Sequence, residues 1–260
     1  MSKFVKLLGN PQLDFPVIHV AGTNGKGSVC AMLDSIYRAN GYKVGLFSSP
    51  HLIELGERIQ INGENITEDE INQWVDRLKP LAQKMEEDES ENHPTFFEFM
   101  TAVAFLHFQK HGVELAVIET GLGGRLDSTN VVAPELSIIT TISKDHCAIL
   151  GNSLEEITQE KAGIIKRETP VLIGDLPNCS VEVVQKIAIQ RNSELHSISH
   201  LVQEERPQTN LQGSYQRANA ALALRGAEIV RKKIPIKNDL ARQGLNQVSL
   251  LGRWQIIEGS

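Results

Sequence analysis

One short stretch near the start of the chain limits the possible folds more than any other. The apolar, β-branched run Val17–Ala21 leads directly into a loop in which Gly22, Gly25 and Gly27 fall within six residues, and a helical pattern follows. Glycines let backbone N–H groups converge on phosphate oxygens, and the N-terminus of the next helix adds a partial positive charge. This order of strand, glycine-rich turn and helix predicts a phosphate-binding loop.

The loop also carries the side chains that a nucleotide site needs. Lys26 is suited to reach the outer phosphates, and the hydroxyl of Ser28 is a candidate ligand for Mg²⁺. The spacing departs from the usual string G-x-x-x-x-G-K-S/T, because Gly27 separates the lysine from the serine. Glycine-rich turns also occur without any ligand, so spacing alone leaves an ordinary turn open.

Composition argues against several classes of protein. The 260 residues are 41% hydrophobic, which suffices for a substantial core, and 26 basic against 32 acidic residues give a net charge of −6. This balance provides no overall attraction to nucleic acid. The sequence has neither an apolar run of the roughly 20 residues that a membrane span needs nor a signal peptide. Cys30, Cys147 and Cys179 are widely spaced, as is typical of reduced thiols. We therefore expect a soluble, cytoplasmic monomer without nucleic-acid or membrane partners.

Strand and helix patterns alternate along the rest of the chain. Capping boxes at Thr67, Thr95 and Ser153 mark helix starts, and residues 50–66 are predicted to form an ordered loop. The alternation predicts an α/β fold with a mostly parallel sheet and helices on both faces. The predicted strands are 17–21, 43–48, 115–119, 136–142, 170–173 and 195–198, and further predicted helices are 29–40, 181–192, 215–232 and 238–246.

Four predicted strands end beside a residue able to bind metal or phosphate. Lys26 and Ser28 follow the first strand, Ser49 the second, Glu119 ends the third and His146 follows the fourth. Ligands of an open parallel sheet bind beyond the carboxyl ends of its strands, so we expect these side chains to converge. Hydroxyl and carboxylate groups, with imidazole as a less usual ligand, can complete the shell of a Mg²⁺ ion that keeps waters and nucleotide phosphates.

The residues alone leave structural explanations open. Glu119 is also consistent with a solvated charge at a strand end, and His146 with a local hydrogen bond in its loop. Lys161 is also consistent with a solvated helix lysine. Arg125 and Asp127 are explained as well by contacts that tie their glycine-rich loop together as by substrate binding.

Several stretches in order along nearly the whole chain carry a more specific signal. They are His19–Ser28, Ser48–Leu52, Glu57–Ile59, Glu119–Asn130, Asp145–His146, Glu160–Ile164, Gly213–Ala220 and Gly252–Gln255. Together they resemble the folylpolyglutamate synthase and dihydrofolate synthase family, which is related to the Mur peptide ligases.

The resemblance implies an ATP-dependent acid–amino-acid ligase that uses ATP and Mg²⁺. In that family, ATP phosphorylates the carboxylate of a pteroate or of a folate glutamate tail, and the amine of L-glutamate then attacks the acyl phosphate. The implied substrates are therefore dihydropteroate or folate, together with L-glutamate. This chemistry requires charge neutralisation at the transferred phosphoryl group and close positioning of the acceptor oxygen.

The resemblance also implies roles for individual residues. Those expected to bind the phosphates are Thr23, Asn24, Gly25, Lys26, Gly27 and Ser28. The implied Mg²⁺ ligands are Ser49, Glu119 and His146, with Ser28 from the loop. Lys161 matches a lysine that the family carries as a carbamate, Asn219 a nucleotide contact, and Arg253 a residue that reaches the phosphates from a hinge. The residues with implied catalytic roles are Lys26, His146, Lys161 and Arg253.

Two further segments match the pterin side of the family's site. Their residues are Thr95, Phe96, Phe97, Glu98, Leu126, Asp127 and Ser128. Either Phe96 or Phe97 would stack on a pterin there, although the apolar helical pattern around both rings is equally typical of core packing.

The sequence departs from the family pattern at its end. Family members continue past the hinge into a second domain that holds much of the glutamate site, whereas this chain stops at Ser260. We expect residues 1–250 to form the ATP-binding domain and residues 251–260 to lead towards a domain that the chain lacks. Two other functions stay open: a Mur-type ligase of cell-wall synthesis, and a nucleotide-binding module without chemistry of its own.

Overall fold

The computed structural model describes residues 1–88, 93–250 and 252. Its helices are α1 (Ser2–Leu7), α2 (Lys26–Ala39), α3 (Glu68–Asp88), α4 (Phe96–Lys110), α5 (Cys147–Leu150), α6 (Leu154–Ala162), α7 (Asn178–Gln190), α8 (Gln216–Ile229) and α9 (Asn238–Leu245). Its strands are β1 (Val17–Ala21), β2 (Val44–Phe47), β3 (Ile59–Ile61), β4 (Glu64–Asn65), β5 (Leu115–Glu119), β6 (Leu136–Ile139), β7 (Val171–Ile173) and β8 (Leu195–Ser197).

The strands of the described residues form one sheet in the order β4-β3-β2-β5-β1-β6-β7-β8. Along this order, each pair of neighbours in the run β2-β5-β1-β6-β7-β8 is parallel. Strand β3 pairs antiparallel with both β2 and β4. Strand β1 lies between β5 and β6, with Val20 level with Glu119 on one side and Ile138 on the other. The loop after β1 therefore leaves the sheet near its middle.

Helices bury both faces of the central sheet. Successive side chains of a strand point to opposite faces, so each strand contributes residues to the packing on both sides. In β5, Leu115 and Val117 pack with α2, α8 and α9, while Ala116 and Ile118 pack with α1, α3 and α4. On β7 the face opposite Leu172 packs with α6 and α7. Burial on both faces explains why these strands are continuously apolar instead of alternating.

The α/β fold class predicted from the sequence is confirmed. Several element bounds differ by one to three residues; among them, α2 begins at Lys26 and β6 ends at Ile139. One difference is larger: the prediction of a loop over residues 50–66 is wrong in part, because β3 and β4 lie there. Asn62 and Gly63 join them with φ angles of 54° and 80°, the left-handed pair of a type I′ hairpin.

Among the described helices, none combines the length and apolar composition that crossing a membrane requires. Cys30, Cys147 and Cys179 are free thiols, and Cys30 is buried. The division of the chain at residue 250 stays a prediction, because residues 251 and 253–260 lie outside the described part.

Candidate functional site

The order of the strands brings the predicted site residues to one edge of the sheet. The glycine-rich loop follows β1, Glu119 ends β5 and Ser49 comes shortly after β2, while His146 lies further along the chain after β6, directly before α5. These four strands are neighbours in the sheet. Because they are parallel, their carboxyl ends open on the same edge. The ends of these strands therefore share one edge, with the loop at its centre, while the meeting of all four side chains around one ion stays a prediction.

The loop between β1 and α2 has the geometry of an anion cradle. Gly25 has a φ of 85°, in the left-handed region that favours glycine, and α2 begins at the next residue. The unpaired N–H groups of the first helical turn therefore point towards the loop. The ammonium of Lys26 folds back and donates to the carbonyl oxygens of Gly22 at 3.1 Å and Thr23 at 3.3 Å. This concentration of positive groups suits a chain of phosphates.

Residues just after β6 hold this loop in place. The hydroxyl of Thr23 donates to the carbonyl oxygen of Ser143 at 3.2 Å and accepts from its N–H at 3.1 Å. The hydroxyl of Thr140 donates to the carbonyl oxygen of Asn24 at 2.7 Å, and the N–H of Asn24 donates to the hydroxyl of Thr141 at 3.0 Å. These hydrogen bonds thus fix the conformation of the loop.

Lys161 reaches the same loop from α6. Its side chain is buried, and Nζ donates to the carbonyl oxygen of Gly22 at 2.8 Å. Two ammonium groups, those of Lys26 and Lys161, therefore meet at one oxygen. Burial first, and then the charge of Lys26, lower the pKa of Lys161 to about 8, while Asp145 and Asp127 raise it. The interpretation of Lys161 as a solvated helix lysine is wrong.

Glu119 lies against the other side of the loop. Its residue is 3% exposed, and Oε2 accepts a hydrogen bond from the backbone N–H of Ser49 at 3.2 Å. A Cβ atom added to Gly27 would be 3.7 Å from the same oxygen. The interpretation as a solvated strand-end charge is therefore wrong. A buried carboxylate beside Ser49 and the turn that carries Ser28 offers the oxygen donors that Mg²⁺ prefers, so these residues fit that ion.

His146 is the most exposed of the candidate metal ligands. It has a left-handed φ of 50° at the start of α5, its side chain is 57% exposed, and Nε2 lies 3.7 Å from Oδ2 of Asp145. Its role as a Mg²⁺ ligand stays a prediction.

A chain of polar side chains links Ser28 to the start of α8. The amide of Gln216 donates to the hydroxyl of Ser28 at 3.2 Å, and the amide of Asn219 donates to Oε1 of Gln216 at 2.8 Å. All three residues are buried. Asn219 also closes on the loop, since a Cβ atom added to Gly25 would lie 2.6 Å from its Oδ1. The predicted nucleotide residue Asn219 is thus in contact range of the cradle.

The two predicted pterin segments lie side by side. The hydroxyls of Thr101 in α4 and Ser128 are 2.6 Å apart and buried. The ring of Phe97 packs against Gly121 and lies 5.7 Å from the ring of Phe47 between centroids. These contacts join the start of α4 to the loop after β5.

Exposure divides the members of these segments into two groups. Phe96 is 60% exposed under the guanidinium of Arg58, and Leu126 is 79% exposed, so both present apolar surface to solvent. Thr95 and Glu98 form the capping box of α4. Asp127 caps the next turn by accepting from the N–H groups of Leu122 and Thr129. Core packing is thus the wrong explanation for Phe96 and remains apt for Phe97.

A cleft of about 700 Å³ opens beside the loop, and Gly27, Ser49 and Glu119 line one end of it. It continues along α2 to Asp34 and Arg38, which form an ion pair at 2.7 Å. Clefts of this volume hold small organic ligands. Ser49 and Glu119, two of the candidate metal ligands, therefore face a space large enough for a small organic ligand.

Sequence analysis missed several residues that shape the site. Thr140, Thr141 and Ser143 were not singled out, and Gln216 was not given a role. A usable signal existed for Gln216, because a polar pair three residues apart lies on one face of a helix. Arg253, a predicted phosphate contact, lies outside the described residues.

Comparison with known families shows which family the chain belongs to. Residues 20–236 match the model of the Mur ligase middle domain. The chain belongs to the Mur ligase family. The matched range runs from the end of β1 almost to α9, so it includes the loop, Glu119, Lys161 and Asn219.

This Mur ligase chain is also similar to individual named proteins and to solved structures. It is 38% identical to the dihydrofolate synthase/folylpolyglutamate synthase of Bacillus subtilis, over 99% of this chain and 65% of the relative. The apo form of L. casei FPGS superposes with a TM-score of 0.93 at 32% identity, covering 99% of this chain and 68% of that one. A solved complex of FPGS with AMPPCP and folate gives a TM-score of 0.90 at 33% identity, covering 97% and 67%. The chain spans 65% of the length of the Bacillus subtilis relative and 61% of that of the folylpolyglutamate synthase of Lacticaseibacillus casei.

Proposed function

We propose that this chain is the ATP-binding part of a ligase that joins a pteroate or folate carboxylate to L-glutamate. One observation carries the proposal: Lys26 and Lys161 meet at the carbonyl oxygen of Gly22, and the buried carboxylate of Glu119 lies across the same loop. The cation of Lys26 and the carboxylate of Glu119, both beside a glycine-rich turn, suit a polyphosphate together with its divalent cation. The names of the relatives support the choice of folate chemistry.

Different residues of the chain bind the phosphates, the rest of the nucleotide and the Mg²⁺ ion of MgATP. The loop residues from Thr23 to Ser28 bind the phosphates, and Asn219 contacts the nucleotide beside Gly25. Glu119, Ser49 and His146, with Ser28, hold Mg²⁺. That ion would neutralise charge on the phosphoryl group during transfer. Gln216 acts on Ser28 by holding its hydroxyl in place.

Lys161 has a second property that suits this function. A neutral amine is the form that reacts with carbon dioxide, and the pKa of about 8 makes the neutral form accessible near physiological pH. Carbamate formation would replace a buried cation with an anion beside the loop, and an anion there would bind a further divalent ion. We therefore propose that Lys161 is carried as a carbamate.

The acceptor side lies along the exposed face formed by Phe96 and Leu126. An exposed aromatic ring and an exposed aliphatic side chain suit the flat pterin ring of dihydropteroate or folate. A carboxylate bound from this side would meet the transferred phosphoryl group at the edge of the sheet where Glu119 lies. Holding the two reactants in this way supplies the positioning that phosphoryl transfer requires. L-glutamate would then attack the acyl phosphate and release phosphate.

Two measurements on the purified 260-residue chain test the proposal. The first is nucleotide binding by calorimetry, where wild type binds MgATP and Lys26→Ala should bind it at least tenfold more weakly. The second is thermal stabilisation by dihydropteroate or folate in the presence of a nonhydrolysable ATP analogue, compared with a nucleotide-sugar peptide. Stabilisation by the peptide alone would refute the folate assignment and favour a cell-wall ligase.

ADP release extends the test to catalysis. MgATP and dihydropteroate are supplied with and without L-glutamate, and glutamate-dependent release would support ligation by this chain. If MgATP binds but neither folate compound changes stability or ADP release, the chain is a nucleotide-binding module and the ligase proposal is wrong.

A further inference from the structure

A second group of ionisable side chains lies away from the glycine-rich loop. Glu70 is in the first turn of α3, while His107 and His111 are four residues apart at the C-terminal end of α4. One ligand atom from each of the three lies within 4.8 Å of the other two. The two imidazole rings are 4.4 Å apart between centroids, and Nε2 of His111 is 3.7 Å from Oε1 of Glu70.

This cluster is separate from the candidate nucleotide site. An α-helix rises about 1.5 Å per residue, so His107 is roughly 16 Å along α4 from Phe96. Shortly after His111 the chain enters β5 at Leu115, and Glu119 stands at the other end of that strand. The cluster therefore lies at the amino edge of the sheet, opposite the phosphate loop.

The hydrogen bonding of the cluster is incomplete within the described structure. Nδ1 of His107 and Nε2 of His111 are buried and have no hydrogen-bond partner. Glu70 accepts the N–H and hydroxyl of Thr67 on Oε2, at 3.0 and 2.9 Å, while Oε1 faces His111 beyond hydrogen-bond distance. Buried nitrogens without a partner cost stability, and such exceptions in native proteins need an explanation.

We propose that Glu70, His107 and His111 bind one divalent transition-metal ion, and that zinc is the ion best suited to them. Two imidazoles and a carboxylate, with a water in the fourth position, form a recurrent zinc site, and histidines four apart on a helix are a frequent way to build one. Ligand atoms around tetrahedral zinc are about 3.3 Å apart, so small side-chain rotations close the present arrangement. Mg²⁺ prefers oxygen ligands and is a poor fit here.

The electrostatic environment is compatible with a metal. Burial, and then the neighbouring His111, lower the pKa of His107; Lys110 and Lys43 also lower it, and Glu70 raises it. The side chains of His111 and Glu70 are about one third exposed, which gives an ion access from solvent. A bound ion would connect the start of α3 to the end of α4.

Zinc binding to chelator-treated protein tests the proposal. Titration against a chromophoric chelator should show one zinc per chain, and at a zinc concentration 100-fold above the dissociation constant the midpoint of thermal unfolding should rise by about 5 to 10 °C. His111→Ala and Glu70→Gln should each weaken zinc binding roughly 100-fold. Glutamine keeps an acceptor for Thr67, so the second variant preserves the start of α3.

Two controls separate this site from others. His200→Ala removes an exposed histidine elsewhere and should leave zinc affinity unchanged. Glu119→Gln should also retain zinc, and excess Mg²⁺ should not displace it. Cobalt in place of zinc should give visible d–d bands that His111→Ala abolishes. The proposal is overturned if wild type binds no zinc at micromolar concentration, if both cluster variants keep full affinity, or if Glu119→Gln abolishes binding.

Discussion

Replacing Lys161 by methionine should stabilise the fold while it damages the nucleotide site. Burial lowers the pKa of this lysine from 10.5 to about 8, so the protonated native state at pH 7 is disfavoured by about 3 kcal/mol. The substitution removes this penalty. It also removes the hydrogen bond to Gly22, worth about 1 kcal/mol, but that carbonyl oxygen still accepts from Lys26. The expected net gain is about 2 kcal/mol, or roughly 4 to 8 °C in the midpoint of thermal unfolding.

The gain should depend on pH in a defined direction. The unfolded chain holds the Lys161 proton up to its ordinary pKa of 10.5, whereas the native chain releases it near pH 8. Between these values the unfolded state binds more protons, so the stability of wild type rises with pH. By pH 10 the penalty on wild type falls below about 1 kcal/mol, and the advantage of Lys161→Met should vanish.

Urea unfolding at pH 7 and pH 10, in buffers freed of carbon dioxide, measures this difference. Lys186→Met is the matched control, because Lys186 is an exposed helix lysine, and its effect should stay within about 0.5 kcal/mol at both pH values. A Lys161→Met variant that is less stable than wild type at pH 7 would refute the reasoning. An advantage that persists unchanged at pH 10 would refute the assigned cause.

Three further predictions concern the loop and its cation. Lys26→Ala should weaken MgATP binding at least tenfold, roughly 1.4 kcal/mol, by calorimetry, and an unchanged affinity would argue against the phosphate loop. Glu119→Gln should reduce the Mg²⁺ dependence of nucleotide binding, measured by titration at fixed nucleotide, and an unaltered dependence would exclude Glu119 as a ligand. Gly25→Ala should destabilise the fold by about 1 to 3 kcal/mol and abolish nucleotide binding, because φ is 85° and its Cβ would lie 2.6 Å from Asn219. Its control is Gly41→Ala, which has a φ of 87° but nothing within 4 Å, and should lose stability while keeping affinity.

Local sequence patterns predicted much of the fold, because the residues that determine a helix or strand lie within it or directly beside it. The apolar run of β5 is buried on both faces, and its bounds follow from the polar residues around it. The hairpin of β3 and β4 was missed although the Asn62-Gly63 pair is a strong hairpin signal, since the strands it joins are too short to show alternation. Sheet order was not predictable from such patterns, yet it decides that Ser49 and Glu119 become neighbours.

The position of Lys161 shows why local sequence patterns could not predict the rest of the site. Its partner Gly22 is 139 residues earlier, so no helical periodicity could indicate the contact. Lys161 reaches Gly22 because the backbone at the end of α6 comes close to the backbone of the loop after β5. A Cβ atom on Gly163 would lie 2.4 Å from Cα of Arg125, and one on Gly124 would lie 2.6 Å from the carbonyl oxygen of Lys161. These glycines therefore let the end of α6 and the loop after β5 come close enough together for Lys161 to reach the carbonyl oxygen of Gly22.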